Sequence, residues 1–358
     1  MLRPIYLALR RFKQLCQRLW RLVKAHIETA WFLFYYVLPL LIRTGTTPVI
    51  FLRYMALGDI ICTFPAAKEL KKRHPKAAFI FCCREDFASL PRLGGITTHV
   101  VWPPHIDLIE KTYSLLFSAI YKFTYSDEFE NSASESVIEE YCRQHDVPVS
   151  DAHPCLQIDP TALSKVKALL ESHGFKQGKP LILIHTGPSG AVREWLNESW
   201  AALVQELIGH GFSQIIQIGS SKRGDLKVVP GISIPGTLSL VDKLTLEESM
   251  ALISLGSIFI GIDSGLLHIA ASVGTPATGI FGSTSPQFRF SSTHTSSFVV
   301  SEVDCQGCHH RVPRLHWISN CPFDIKCMKS IGVDRVLQAC LSKLPSMAGL
   351  SDPDLTAI

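Results

Sequence analysis

The stretch from Ile258 to Phe281, IFIGIDSGLLHIAASVGTPATGIF, decides the fold. Ile258–Ile262 is a short apolar run, right in length for a strand buried on both faces. Asp263-Ser264-Gly265 turns the chain, a helix runs on to Ser272 and stops at Gly274, and Ala277–Phe281 is the next strand. Strands alternating with helices predict a parallel sheet with crossover connections. Around this stretch the same rhythm recurs. Residues 161–173 read as a helix, Pro180–His185 as a strand, Ser199–His210 as a helix and Ser213–Ile218 as a strand. Thr245 followed by Glu248 is a capping box opening a helix to Ser254. Upstream, Val49–Leu52, Ala78–Cys83 and His99–Trp102 read as strands, with a helix from Ile60 to Arg73. Residues 104–155 are less regular and carry one helix, Ser134–His145. The expectation is α/β: two Rossmann-like domains facing a central cleft, over 46–165 and 166–345, with an arm at 1–45 and a tail at 346–358.

The chain has 358 residues and a formal net charge of +4, too little on average to imply nucleic acid as a partner. The charge is unevenly placed. Residues 1–45 hold eight Lys/Arg against Glu28 alone, so the arm carries +7 and the rest −3. Apolar residues at Leu2, Ile5, Leu9, Phe12, Cys16, Leu19, Val23 and Ile27 share one helical face. The run Ala30–Ile42 that follows contains Pro39 and falls short of the ~20 residues a spanning helix needs. The arm therefore reads as an amphipathic helix lying on an anionic membrane surface, or else packed on the protein body.

Three blocks carry chemistry. The first is Gly58-Asp59 with Thr63 and Pro65 after the first strand. The second is His185-Thr186-Gly187-Pro188-Ser189 with Arg193 and Trp195. The third is Asp263-Ser264-Gly265 with His268, then Gly274-Thr275-Pro276 and Phe281-Gly282-Ser283-Thr284. Asp263-Ser264-Gly265 opens a helix, where free N–H groups and the helix dipole suit a pyrophosphate and a glycine gives it room. Asp59 stands at a strand's C-terminal edge, where α/β sheets place ligands; alternatively it caps the next helix. A dinucleotide oxidoreductase would need GxGxxG after a strand, and only Gly58 lies there. The one DxD, Asp352-Pro353-Asp354, sits in the polar tail.

In order and spacing these blocks resemble glycosyltransferase family 9, the bacterial heptosyltransferases of lipopolysaccharide core assembly. The resemblance covers roughly residues 48–340, weakly over 104–175. It implies a GT-B architecture and transfer with inversion at the anomeric carbon, without a catalytic metal. ADP-heptose is the favoured donor, and the acceptor is a lipopolysaccharide-type or other membrane-linked glycan at the cytoplasmic face of the inner membrane. By the same resemblance Asp59 is the general base, and Arg193 stands where the family commonly has Lys facing the phosphates. The implied donor set is Thr186, Gly187, Ser189, Leu244, Asp263, Ser264, Gly265 and His268. Many family members have an acidic residue that meets the donor ribose after the strand Ile215–Ile218; here the loop reads Gly219-Ser220-Ser221-Lys222-Arg223-Gly224-Asp225 and departs from that pattern. Modification of a protein, another nucleotide sugar, or a non-catalytic nucleotide-sugar-binding scaffold remain alternatives.

Cys305, Cys308, Cys321 and Cys327 are spaced x2, x12 and x5, like metal ligands, with His309, His310 and His316 nearby. Some family 9 relatives have a similar C-terminal cluster, and the autotransporter-modifying heptosyltransferases look like ones that hold iron there. The cluster reads as a structural zinc or iron site that staples a loop, or else as unligated or redox-active thiols.

Overall fold

The computed structural model describes residues 2–54, 56–102, 106–116, 119–124, 129, 135–149, 154–188, 191–221, 233–291, 296–310 and 321–344. The tail 346–358 and its DxD lie outside them.

Two parallel sheets form the body. The first joins β1 (Val49–Leu52), β2 (Phe79–Cys82), β3 (His99–Val101) and β4 (Ile120–Lys122) in the order β3-β2-β1-β4. The second joins β5 (Leu181–His185), β6 (Gln214–Gln217), β7 (Leu238–Ser239), β8 (Ile258–Ile262), β9 (Ala277–Phe281) and β10 (Ser297–Val300) in the order β10-β9-β8-β5-β6-β7. The strands β1, β5, β8 and β9 are buried along their whole length, as their mostly apolar sequences suit. Each fully buried Ile, Leu or Phe in them contributes about 1.5–3 kcal/mol.

Several boundaries move. The helix expected over Ile60–Arg73 is two, Leu57–Cys62 and Phe64–Arg73. Pro65 in the first turn of the second cannot continue the first, and Thr63 Oγ1 closes the break by donating to Ile60 O at 2.7 Å. Asp59 accordingly lies inside the first turn, not at the cap, which is Ala56 at φ 67°. Residue 165, placed between the two domains by sequence, falls within the helix Pro160–Ser172, which packs on Leu246–Leu255. The capping box at Thr245 and Glu248 forms, with bonds of 3.0 and 3.2 Å.

The arm is one continuous rod. Leu2–Phe32 is α-helical, Leu33–Val37 is π-helical and Leu38–Thr44 resumes the α-helix. Pro39 does not stop it. The wider π turn just before it loosens the ladder where the proline lacks an N–H. Counted whole, Lys13–Thr44 is by length and composition long and apolar enough to cross a membrane, which corrects the length argument made from Ala30–Ile42 alone. Phe32, Val37 and Leu40 are buried against Ile50, Ile80, Ile109 and Tyr113, so the second half of the rod packs on the first sheet. Leu15, Leu19, Trp20, Leu22, Val23, Ile27 and Trp31 remain exposed, so packing does not consume the apolar face.

Candidate active site

The C-terminal edges of both sheets meet at one cleft of about 560 Å³. Ala56–Asp59 lines it from the first domain. His185, Arg193, Gly219, Leu244, Asp263–Leu266, His268 and Arg289 line it from the second. The three blocks, up to 210 residues apart in the chain, thus converge.

The two domains touch through their glycines. A Cβ on Gly58 would stand 2.6 Å from His268 Cδ2, and one on Gly265 would stand 2.7 Å from Leu57 Cδ2. Each helix start gives up a side chain so that the other can close on it. The space a Cβ at Gly265 would need is thus filled by Leu57, while Gly265 itself lines the cleft. Ser264 caps the helix Gly265–Ser272 without a side-chain cap bond, and its Oγ is buried with no hydrogen-bond partner among the described residues. Such an orphaned hydroxyl beside a helix N-terminus is a site for an acceptor-rich ligand.

Two acids organise the charges. Asp263 is 3 % exposed and lies 3.2 Å from Arg193 Nη1 and 3.6 Å from Arg289 Nε. Burial alone would raise its pKa. The guanidinium groups of Arg289 and Arg193 outweigh that and hold the carboxyl well below the usual carboxylate range. Asp59 hydrogen-bonds Arg53 Nη2 through Oδ2, and its Oδ1 is 3.8 Å from Arg289 Nη1. Burial lowers the pKa of His268 to about 4, Asp263 partly opposing the shift, so His268 is neutral at physiological pH. Its ring stacks on Phe290 at 4.4 Å.

The other expected donor residues differ in position. Leu244 lines the cleft. Thr186 and Gly187 are half-buried, between His185 and Pro188, which do line it; Gln217 Nε2 donates to Thr186 Oγ1 at 3.1 Å, and Gly187–Pro188 is a cis peptide. Ser189 is outside the described residues, as are residues 222–225 of the ribose loop. At the start of that loop Gly219 (φ +139°) lies against His185, and Asp242 Oδ1 accepts from Ser220 Oγ and Ser221 N at 3.0 and 2.8 Å. An acidic residue thus reaches this loop from the segment after β7. Trp195 packs rather than binds. It is buried, donates to Ile331 O at 3.0 Å and meets Trp200 edge-on. Sequence reading missed Arg53 and Arg289. For Arg289 the signal was a charge in the first turn after Pro286, at the C-terminal edge of a buried strand.

The four cysteines gather beside Gly282 and Ser283, just past the C-terminal end of β9. Gly307 N and His309 N donate to Gly282 O and Ser283 O at 3.1 and 2.9 Å, and Cys308 N to Cys305 O at 3.1 Å. Burial raises the Cys308 pKa, with Cys305 and Cys321 adding to it; burial, with the other three thiols adding, pushes Cys327 up to about 11. All four are free, and among the described residues no group of three or more His, Cys, Asp or Glu side chains is arranged to hold a metal ion. His316 lies outside the described residues, and so does the side chain of His310.

Residues 107–318 match the family model of glycosyltransferase family 9 (heptosyltransferase). The chain belongs to this family. It is 30 % identical over 129 residues to lipopolysaccharide heptosyltransferase 3 of Escherichia coli, covering 35 % of this chain and 37 % of that protein. The chain thus spans well under half of the length of the curated relatives it matches first, 37 %, 42 % and 36 %. The fold matches the E. coli ADP-heptose lipopolysaccharide heptosyltransferase II with a TM-score of 0.62 at 16 % identity, over 83 % of this chain and 98 % of that one. It also matches TibC, an iron-containing dodecameric glycosyltransferase from enterotoxigenic E. coli, with a TM-score of 0.63 at 18 % identity, over 82 % and 75 %. The architecture of this family 9 chain is therefore GT-B, as its motifs imply.

Proposed function

We propose that the protein is an inverting glycosyltransferase that moves heptose from ADP-heptose to a hydroxyl of a lipopolysaccharide-type or other membrane-linked glycan, without a catalytic metal. One observation carries this reading: the carboxylate of Asp59 in one domain and the pair Asp263–Arg193 in the other open on the same cleft. The names of the relatives supply the sugar and the nucleotide.

The chemistry follows from the charges. The acceptor oxygen attacks the anomeric carbon and its proton passes to Asp59. The bond from that carbon to the phosphate oxygen breaks, and the electron pair leaves with ADP. Arg193, aimed by Asp263, stabilises the charge growing on the leaving phosphate. The N–H groups of the helix Gly265–Ser272 and Ser264 Oγ bind the pyrophosphate. Neutral His268 offers a hydrogen bond without adding charge. Transfer assays with purified protein, comparing ADP-heptose with GDP- and UDP-sugars, test this reading. Donor binding without turnover on any lipid-linked acceptor would favour the scaffold.

In this reading the enzyme works at the cytoplasmic face of the bacterial inner membrane, held there by the arm. The exposed Trp20, Trp31 and Tyr35 suit headgroup depth, and the arm's Arg and Lys suit anionic lipid. Removing all of residues 1–45 would strip Phe32, Val37 and Leu40 from the core. A deletion of residues 1–23 is the cleaner test. It should release the protein from vesicles of anionic lipid while leaving its unfolding transition in place; undiminished vesicle binding would contradict the assignment.

The cysteine cluster is read as a structural metal site, zinc or iron, with Cys305, Cys308, Cys321 and Cys327 as its thiolate ligands. A cation there would favour the thiolate forms that burial of Cys308 and Cys327 otherwise disfavours. Metal analysis of the purified protein should find about one zinc or iron per chain, lost in Cys305→Ser. A metal-free protein of full stability would sink the idea.

A further inference from the structure

A second cavity, of about 430 Å³, opens at the C-terminal edge of the first sheet. Ala56 and Asp59 line both it and the cleft already described, so the carboxylate of Asp59 stands between the two. Its other lining residues also belong to the first domain: Leu52, Arg53, Tyr54, Lys122, Phe123 and Thr124. The size is ordinary for a small-molecule site. With the donor held by the second domain, this cavity is the way for an attacking hydroxyl to reach Asp59.

The charges of the cavity cancel. Arg53 donates through Nη2 to Asp59 and through Nη1 to Phe123 O, the latter at 3.0 Å. Lys122 Nζ lies 2.6 Å from Glu110 Oε2. Each cation that lines the cavity is therefore matched by a carboxylate. An acidic ligand would find no surplus positive charge among the described residues and would approach the negative Asp59.

The walls are aromatic where they are not charged. Tyr54 and Phe123 line the cavity, and Trp102 stacks on Tyr54 with ring centroids 4.4 Å apart and ring planes at 26°. Trp102 keeps 40 % of its surface exposed, so the pair extends an aromatic surface outward from the cavity. One face of a pyranose ring presents C–H groups, and these pack on the electron-rich face of an aromatic ring. We propose that this cavity seats the acceptor and selects a neutral sugar, packed on Tyr54, over an acidic one. Trp102 is a positioning residue that holds the Tyr54 ring. This names the acceptor's chemistry and rests on the reading of Asp59 as general base.

Ligand-observed NMR titration of the full-length protein with ADP bound tests it. The probes are the methyl glycosides of glucose, galactose and mannose, against methyl glucuronide. At least one neutral glycoside should bind, and the glucuronide about tenfold more weakly or not at all. Tyr54→Ala should weaken the neutral sugar about tenfold, Tyr54→Phe should keep most of the affinity, and Trp102→Ala should act in the same direction as Tyr54→Ala. ADP affinity should stay unchanged in all three variants, which a general loss of structure would not allow. Glu110→Gln releases the charge of Lys122 and should improve binding of the glucuronide. Preference for the glucuronide in the wild type, or no binding of any neutral glycoside, would overturn the proposal. If the Tyr54 and Trp102 variants do not fold, that wild-type comparison and Glu110→Gln decide. The transferase reading fails separately, if the neutral glycosides bind as expected yet no acceptor receives heptose from ADP-heptose.

Discussion

Asp59→Asn is expected to lower kcat for sugar transfer by about 10²–10⁴-fold, the usual contribution of a positioned general base. The substitution keeps the side chain's shape and removes only the group that takes the acceptor's proton. It also removes a negative charge beside Arg53 and Arg289, so the cleft becomes more positive. The KM for the donor should therefore not rise. A fall in kcat with an unchanged or lower donor KM separates lost chemistry from lost binding. Wild-type kcat in this variant would remove Asp59 from the mechanism.

Asp263→Ala is expected to destabilise the ligand-free protein by about 3–5 kcal/mol in denaturant unfolding, because removing one partner leaves buried positive charge uncompensated. Asp263 is almost wholly buried and faces Arg193 and Arg289, which are themselves largely covered. Acidity should close the gap between wild type and variant. The folded-state pKa of Asp263 is depressed, so its stabilisation is present above the ordinary value of 3.8 and is lost as the pH falls below that. A stability difference under about 0.5 kcal/mol, as for an ordinary surface substitution, or one that grows in acid, would contradict this electrostatic account.

Fold and site were legible to different depths, for physical reasons. The long apolar runs of β1, β5, β8 and β9 announce buried strands, and their alternation with helices fixes parallel sheets. The strands β4, β7 and β10 are short and mostly half-buried, so no apolar run marks them. The arm's continuity escaped notice because Pro39 reads as a stop, while the π turn that accommodates it has no sequence signature. At the site, Asp59, Arg193, Asp263 and His268 stood out from their motifs. Arg53 and Arg289 did not, because a lone arginine reads as solvated surface until its distant partners are known. The sequence does not show why residue 58 is a glycine, because the side chain that requires it, His268, lies in the other domain.

The most direct measurement is transfer by purified full-length protein from ADP-heptose, beside GDP- and UDP-sugars, to a lipopolysaccharide-type acceptor. The account predicts ADP release and a glycosylated acceptor with ADP-heptose, both strongly reduced in Asp59→Asn. Tight ADP-heptose binding with no product on any such acceptor would contradict it.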